Sequence, residues 1–134
     1  MIKYTDLKKT SEERLDDVKV LYTNNRYDGA MYLSGYVLEI ALKARICKLL
    51  NISEYPDDAK FKQVYLTHDF DVLLKLSGLE NELKTGDPSL FTDWSIVTGW
   101  NPIMRYQVMG KTKKDIRTMM VSLFNIFRWI KTKW

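Results

Sequence analysis

Residues 28–51, DGAMYLSGYVLEIALKARICKLLN, decide the fold. Ala30, Leu33, Val37, Ile40, Ala44 and Cys47 recur at steps of three or four, which puts them on one face of a helix of about six to seven turns. Leu38, Leu42, Ile46 and Leu49 repeat that spacing on an adjoining face. A surface helix needs one apolar stripe, so a helix with two is surrounded by others and forms the central stave of a bundle. Glu39 and Lys43 stand four apart in the favourable order for a helical ion pair, on a face the stripes do not claim.

Upstream, Ser11-Glu12-Glu13-Arg14 offers a capping hydroxyl and acidic first-turn residues, which predicts a helix from Ser11, with a weaker helical segment from Thr5. Its inward stripe is Leu15, Val18 and Leu21 or Tyr22, and Asn24-Asn25 with Asp28-Gly29 marks a turn into the central helix, so the two are expected to be antiparallel neighbours. Downstream, Pro56 breaks the pattern and a short helix is expected over 59–66. Thr67-His68-Asp69 reads as the entry to a helix carrying Phe70, Leu73, Leu74 and Leu76, which Gly78 interrupts, and residues 79–84 suit a further turn. Asp87-Pro88 then starts a helix with Leu90, Phe91, Trp94 and Val97 inward. Residues 103–110 lack a period and read as a loop crossing the bundle. The last helix is predicted from about Thr112 onward, with Ile116, Met119, Met120, Leu123, Phe127, Ile130 and Trp134 on its inner face. Phe124 and Trp129 fall outside that stripe, suited either to an extra helix of the same chain or to a second copy. The fold class is therefore all-α, an antiparallel bundle of four to five main helices with additional short ones.

At 134 residues the chain is expected to be a single domain, 1–134, large enough for a core without staples. Hydrophobic residues at 46% and charged residues at 28% describe an ordinary globular protein, without linker-like or repeated segments. The longest apolar runs fall far short of the roughly 20 residues that cross a bilayer. The opening MIKYTDLKK lacks the apolar middle of a signal peptide, so a cytoplasmic location without membrane attachment is expected. Cys47, the single cysteine, lies on an apolar face and suits a buried inert thiol. The net charge of +4 is a modest basic excess. Lys111, Lys113, Lys114 and Arg117 gather at the start of the last helix, as a solvated face or as an anion-binding surface.

Signatures of catalysis are few. The glycines fall in no phosphate-loop order, and one Cys with one His make no zinc set, so neither a metal nor a cofactor is expected. His68 is the only imidazole, read either as a helix-entry residue bonded to backbone or a neighbouring acid, or as a proton carrier. Trp94, Trp100, Trp129 and Trp134 suit a bundle core or base stacking. Around the irregular segment, Trp94, Trp100, Asn101, Arg105 and Tyr106 combine rings, an amide and a guanidinium, a mix suited to a phosphate or a base. The alternative is an arginine that fixes the loop by bonding its carbonyls or Glu39.

Residues 27–50 with their Leu-Glu-x-Ala-Leu-Lys-Ala core, Thr67-His68-Asp69-Phe70 followed by Leu73-Leu74 and Ser77-Gly78-Leu79, and Trp100-Asn101-Pro102 leading to Arg105-Tyr106 together resemble HEPN domains, in the same order and over residues 10–134. The resemblance implies an all-helical, commonly dimeric bundle of prokaryotic toxin-antitoxin, phage-defence or nucleotidyltransferase-associated systems. Many HEPN domains are metal-independent RNases in which an Arg, followed after four to six residues by a His, holds the scissile phosphate while the His moves the 2′-hydroxyl proton. Here Gly110, Lys111 and Thr112 occupy the positions where that His falls after Arg105, and Phe61, Lys62 and Gln63 stand where the Arg falls before His68.

The expectation is thus a non-catalytic module that binds a nucleotide, RNA or a protein partner, and forms a homodimer. Its ligand-binding candidates are Arg105, Tyr106, Trp100, Asn101, Lys111, Lys113, Lys114 and Glu39. The alternative is an RNase with a rearranged site in which His68 is the base and Arg105 the phosphate clamp. A third reading is a partner-binding helical protein without a nucleic-acid role, using the exposed face of its last helix.

Overall fold

The computed structural model describes residues 2–134. Helix α1 (Tyr4–Thr23) and helix α2 (Tyr27–Leu50) are joined by a tight turn in which Asn25 takes a left-handed φ of 61°, and they pack along each other as antiparallel neighbours. Helix α7 (Lys113–Lys131) covers α2 from another side and packs on α6 (Pro88–Val97), while α4 (Phe70–Leu76) also contacts α2. The short helices α3 (Lys62–Tyr65) and α5 (Glu80–Thr85) complete the all-α bundle. Val37, Ala41, Leu42, Ala44, Ile46 and Cys47 are wholly buried on α2, as expected of a helix with neighbours on several sides. Leu33 and Ile40 are half-buried, and Leu49 at the helix end is exposed, packing toward Gly78.

Three local expectations are corrected. Helix α1 is continuous from Tyr4, and Ser11 lies buried inside it with its hydroxyl donated to the Lys8 carbonyl 2.8 Å away. The start is set by tertiary structure: β1 (Ile2–Lys3) pairs antiparallel with β2 (Glu54–Tyr55), and the Tyr4 N–H donates to the Ser53 carbonyl. Phe91 is exposed, so α6 buries Trp94 and Val97 with Leu90 at its edge. Third, Glu39 and Lys43 form the expected ion pair, 3.2 Å apart, but the face that the stripes leave to them is covered. Tyr55 of β2 lies under the Lys43 ammonium, 5.5 Å from ring centre to Nζ, and both charged residues are buried.

The helix signals at Asp69, Asp87 and Thr112 act as expected. Asp69 accepts the Asp71 and Val72 N–H groups, Asp87 accepts that of Ser89, and Thr112 forms a reciprocal capping box with Asp115. Gly78, at a φ of 73°, lies just past the end of α4. On α7 the expected inner face is buried with Ile126 added, except that Trp134 lies half-buried beyond the helix end with its indole donating to the Ala41 carbonyl, while Phe124 lies under the Lys19 ammonium and the Trp129 indole donates to Glu82. Those two aromatics are thus engaged within the chain. Arg45 of α2 ties the end of α4 to the region after α7, donating to the carbonyls of Ser77 at 3.1 Å and Lys133 at 2.9 Å.

Candidate functional site

A third stripe on α2 carries the polar chemistry. Tyr32, Tyr36, Glu39 and Lys43 follow at helical spacing, and they meet the α3–α4 connection and the segment between α6 and α7. Trp100 makes the junction. Its indole lies against the α2 backbone at Gly35, where a Cβ would stand 2.0 Å from the ring, and its Nε1–H donates to the Tyr32 carbonyl at 2.7 Å. Tyr36 packs edge-on against it, and Phe70 from α4 closes another side. Trp100 is therefore a buried anchor whose edge reaches the surrounding clefts, and Trp94 is likewise in the core.

From that anchor the chain turns into a 3-10 segment, Pro102–Tyr106, capped by the Asn101 side chain, which accepts the Ile103 N–H at 2.9 Å. The cap places Arg105 and Tyr106 on the surface, with the guanidinium 4.8 Å from the centre of the Tyr106 ring. Among the described residues, Arg105 bonds neither loop carbonyls nor Glu39. The Tyr106 phenol raises the guanidinium pKa above its ordinary value, and Tyr32 and Tyr36 add to that. Arg105 is a permanent cation backed by phenols.

Beyond Tyr106 the loop is held from below. The Asp28 carboxylate, in the first turn of α2, accepts the N–H groups of Lys111, Met109 and Gly110 at 2.8, 2.9 and 3.2 Å. These bonds, that of Lys111 foremost, lower the Asp28 pKa. Gly110 takes a φ of 62° at this clamp. The clamp fixes Lys111 just before α7, whose first turn carries Lys113 over the Tyr22 ring and Lys114 beside a cleft. Among the described residues, Arg105, Lys111, Lys113 and Lys114 form no ion pair with a carboxylate.

His68 lies on the other side of Tyr36, edge-on to its ring at 6.3 Å between centres. Its Nδ1 is hydrogen-bonded to one oxygen of Glu39, and the other oxygen of Glu39 is 3.2 Å from the Lys43 ammonium. The imidazole is 56% exposed and the carboxylate 8%. A buried, ion-paired carboxylate thus orients an exposed imidazole whose Nε2 remains available. The bordering cleft, about 300 Å³, is lined by Asp69, Asp71, Thr98, Trp100 and Asn101 among others. Tyr36 completes the group: its hydrogen bond with the Tyr32 hydroxyl at 3.2 Å, together with burial, pushes its pKa to about 12. It therefore stays protonated at neutral pH.

The predicted residues thus divide. Arg105 and Tyr106 lie on the 3-10 segment, Lys111 and Lys114 border one cleft at the entry to α7 and Lys113 lies over Tyr22, whereas Glu39 belongs with His68 behind Tyr36. Trp100 and Asn101 build the junction between them. Tyr32, Tyr36 and Asp28 are absent from the residues expected at the site, although the first two stand at i and i+4 with Glu39 three further on. Among the described residues, no group of three or more His, Cys, Asp or Glu side chains is placed to hold a metal, and no helix is long and apolar enough to cross a membrane.

A family model described as HEPN domain matches residues 4–133, almost the whole chain. No curated protein and no solved structure matches it.

Proposed function

The chain belongs to the HEPN domain family, and from that premise we infer that it is a non-catalytic module that binds RNA or a nucleotide through phosphate. The observation that carries this is that Arg105, Lys111, Lys113 and Lys114 form no ion pair with a carboxylate among the described residues, although Asp28 and Asp115 lie near Lys111 and Lys114. Arg105 is held over the exposed ring of Tyr106 by a capped 3-10 segment. A planar guanidinium suits bidentate phosphate contact, and a phenol beside it suits base stacking. A homodimer in a prokaryotic defence or toxin-antitoxin setting belongs to the same reading, with Ile103 and Val108, both exposed beside this surface, available to a second copy.

The test is fluorescence anisotropy of a labelled mixed-sequence RNA at several salt concentrations. Four engaged cations would give a log–log salt slope of about −3. Arg105→Ala is expected to weaken binding, and Lys111→Ala with Lys114→Ala to flatten the slope by about 0.7 for each phosphate that is no longer neutralised. Salt-independent binding, or binding unchanged by all three substitutions, would refute the reading.

A second reading has one observation in its favour. The Glu39 carboxylate fixes the His68 imidazole with Nε2 outward, and Tyr36 lies in reach of both His68 and the Arg105 cation. That is the arrangement a rearranged RNase would use, with His68 taking the 2′-hydroxyl proton and Arg105 holding the phosphate. Asp69 and Asp71 at the His68 cleft weigh against it, because they repel a phosphate there.

A further inference from the structure

We propose that the cleft between α6, the 3-10 segment and the start of α7 is a pocket for the single base of a nucleotide, with Lys111 and Lys114 taking its phosphate. The proposal rests on the phosphate-binding reading and adds to it a second contact, to the base. Three of the chain's six methionines, Met31, Met104 and Met119, come from three different elements to line this one cleft, together with Ile96 and the edge of Trp100. Thioethers are polarizable and adapt to a flat ring, and sulfur contacts to aromatic edges are favourable. The cleft holds about 270 Å³, at or below the small end of ligand pockets, roughly 300–1,000 Å³. It therefore takes one ring system and not a stack of them.

Charge at the mouth fits an anion. Lys111 and Lys114 face the Asp115 carboxylate, and that carboxylate already accepts the Thr112 N–H in the α7 capping box. Asp28, which also faces Lys111, is engaged by three loop N–H groups, so both carboxylates are held by backbone, while among the described residues neither ammonium is in an ion pair above the apolar floor. Lys111 is fixed at the rim because its own N–H is bonded to Asp28. At the exposed rim the Thr118 hydroxyl donates to the Lys114 carbonyl and can turn toward the polar edge of a base.

The probe is adenosine 5′-monophosphate, titrated into protein labelled at the methionine methyls and followed by NMR, with inorganic phosphate as the control. The methyl signals of Met31, Met104 and Met119 are expected to shift and saturate, with phosphate alone leaving them in place. Ile96 is 37% exposed at the cleft, so Ile96→Trp covers the pocket without disturbing the core. It is expected to weaken the adenosine nucleotide by about tenfold or more, about 1.4 kcal/mol, while salt-dependent binding of RNA by Arg105 and Lys113 persists. Unshifted methyls with RNA binding intact would overturn the pocket and leave the phosphate reading standing. Equal binding by wild type and Ile96→Trp would overturn it as well, and failure of wild type to bind either nucleotide or RNA would remove the two together.

Discussion

The indole of Trp100 occupies the space that any side chain at position 35 would need. A Cβ built on Gly35 falls 2.0 Å from Cδ2 and 2.2 Å from Cε2 of the ring. Glycine is thus required there for a close approach, and that approach positions the 3-10 segment bearing Arg105. Gly35→Ala should drive the indole out of its seat and destabilise the fold by about 1–3 kcal/mol, the usual range for overpacking. Urea unfolding checks the stability. RNA binding, measured without denaturant on the folded variant, should fall in parallel, because Asn101 and Arg105 move with Trp100.

Glu39 serves two partners of unequal burial. Removing it as Glu39→Ala strands the buried Lys43 ammonium and should cost about 3–5 kcal/mol. His68→Ala removes an exposed partner and should cost no more than about 1 kcal/mol. Equilibrium unfolding of the two variants measures the contrast. Equal losses would mean that His68 is a structural latch and not an imidazole held for use at the surface.

Glu39→Leu combined with Lys43→Met should be far less damaging than the sum of the two single changes, since the double variant leaves neither charge buried alone. A double-mutant cycle in urea gives the coupling directly. Additive losses would show that the two charges act independently despite lying 3.2 Å apart.

Asp28 links stability to pH. Its folded pKa is depressed by the N–H groups it accepts from the loop, that of Lys111 first. A depressed carboxylate contributes stability that is fully present above its unfolded pKa, about 3.9, and is lost as pH falls through the folded value. Asp28→Asn should therefore be less stable than wild type at pH 7, with the gap closing below about pH 4. Unfolding curves at pH 7 and pH 3 test this, and a constant gap would contradict the clamp. The loop from Gln107 to Lys111 should also exchange its amide hydrogens faster in the variant at pH 7.

The legible parts of this fold are those encoded in local spacing and capping. The double stripe of α2, the Asp69, Asp87 and Thr112 caps and the inner face of α7 all depend on residues within a few positions of one another. The illegible parts depend on distant partners. Ser11 looks like a cap but lies inside α1, because the chain just before β2, about fifty residues on, supplies the acceptor for the true helix start. The Glu39–Lys43 pair follows from its spacing, but its burial does not, because Tyr55 and His68 meet it from distant parts of the chain. At the site, Arg105, Tyr106 and the lysines can be named from residue type alone. The role of Tyr36 between His68 and Arg105 cannot, because it arises only when Trp100 seats on Gly35.

The most direct measurement is incubation of a labelled mixed-sequence RNA, in EDTA, with wild type, His68→Ala and Arg105→Ala, with binding of the same RNA recorded alongside. A non-catalytic phosphate-binding module leaves the RNA intact in all three, with binding weakened by Arg105→Ala and little changed by His68→Ala. Cleavage by wild type that disappears in both variants would contradict it and make the His68–Arg105 pair an RNase site.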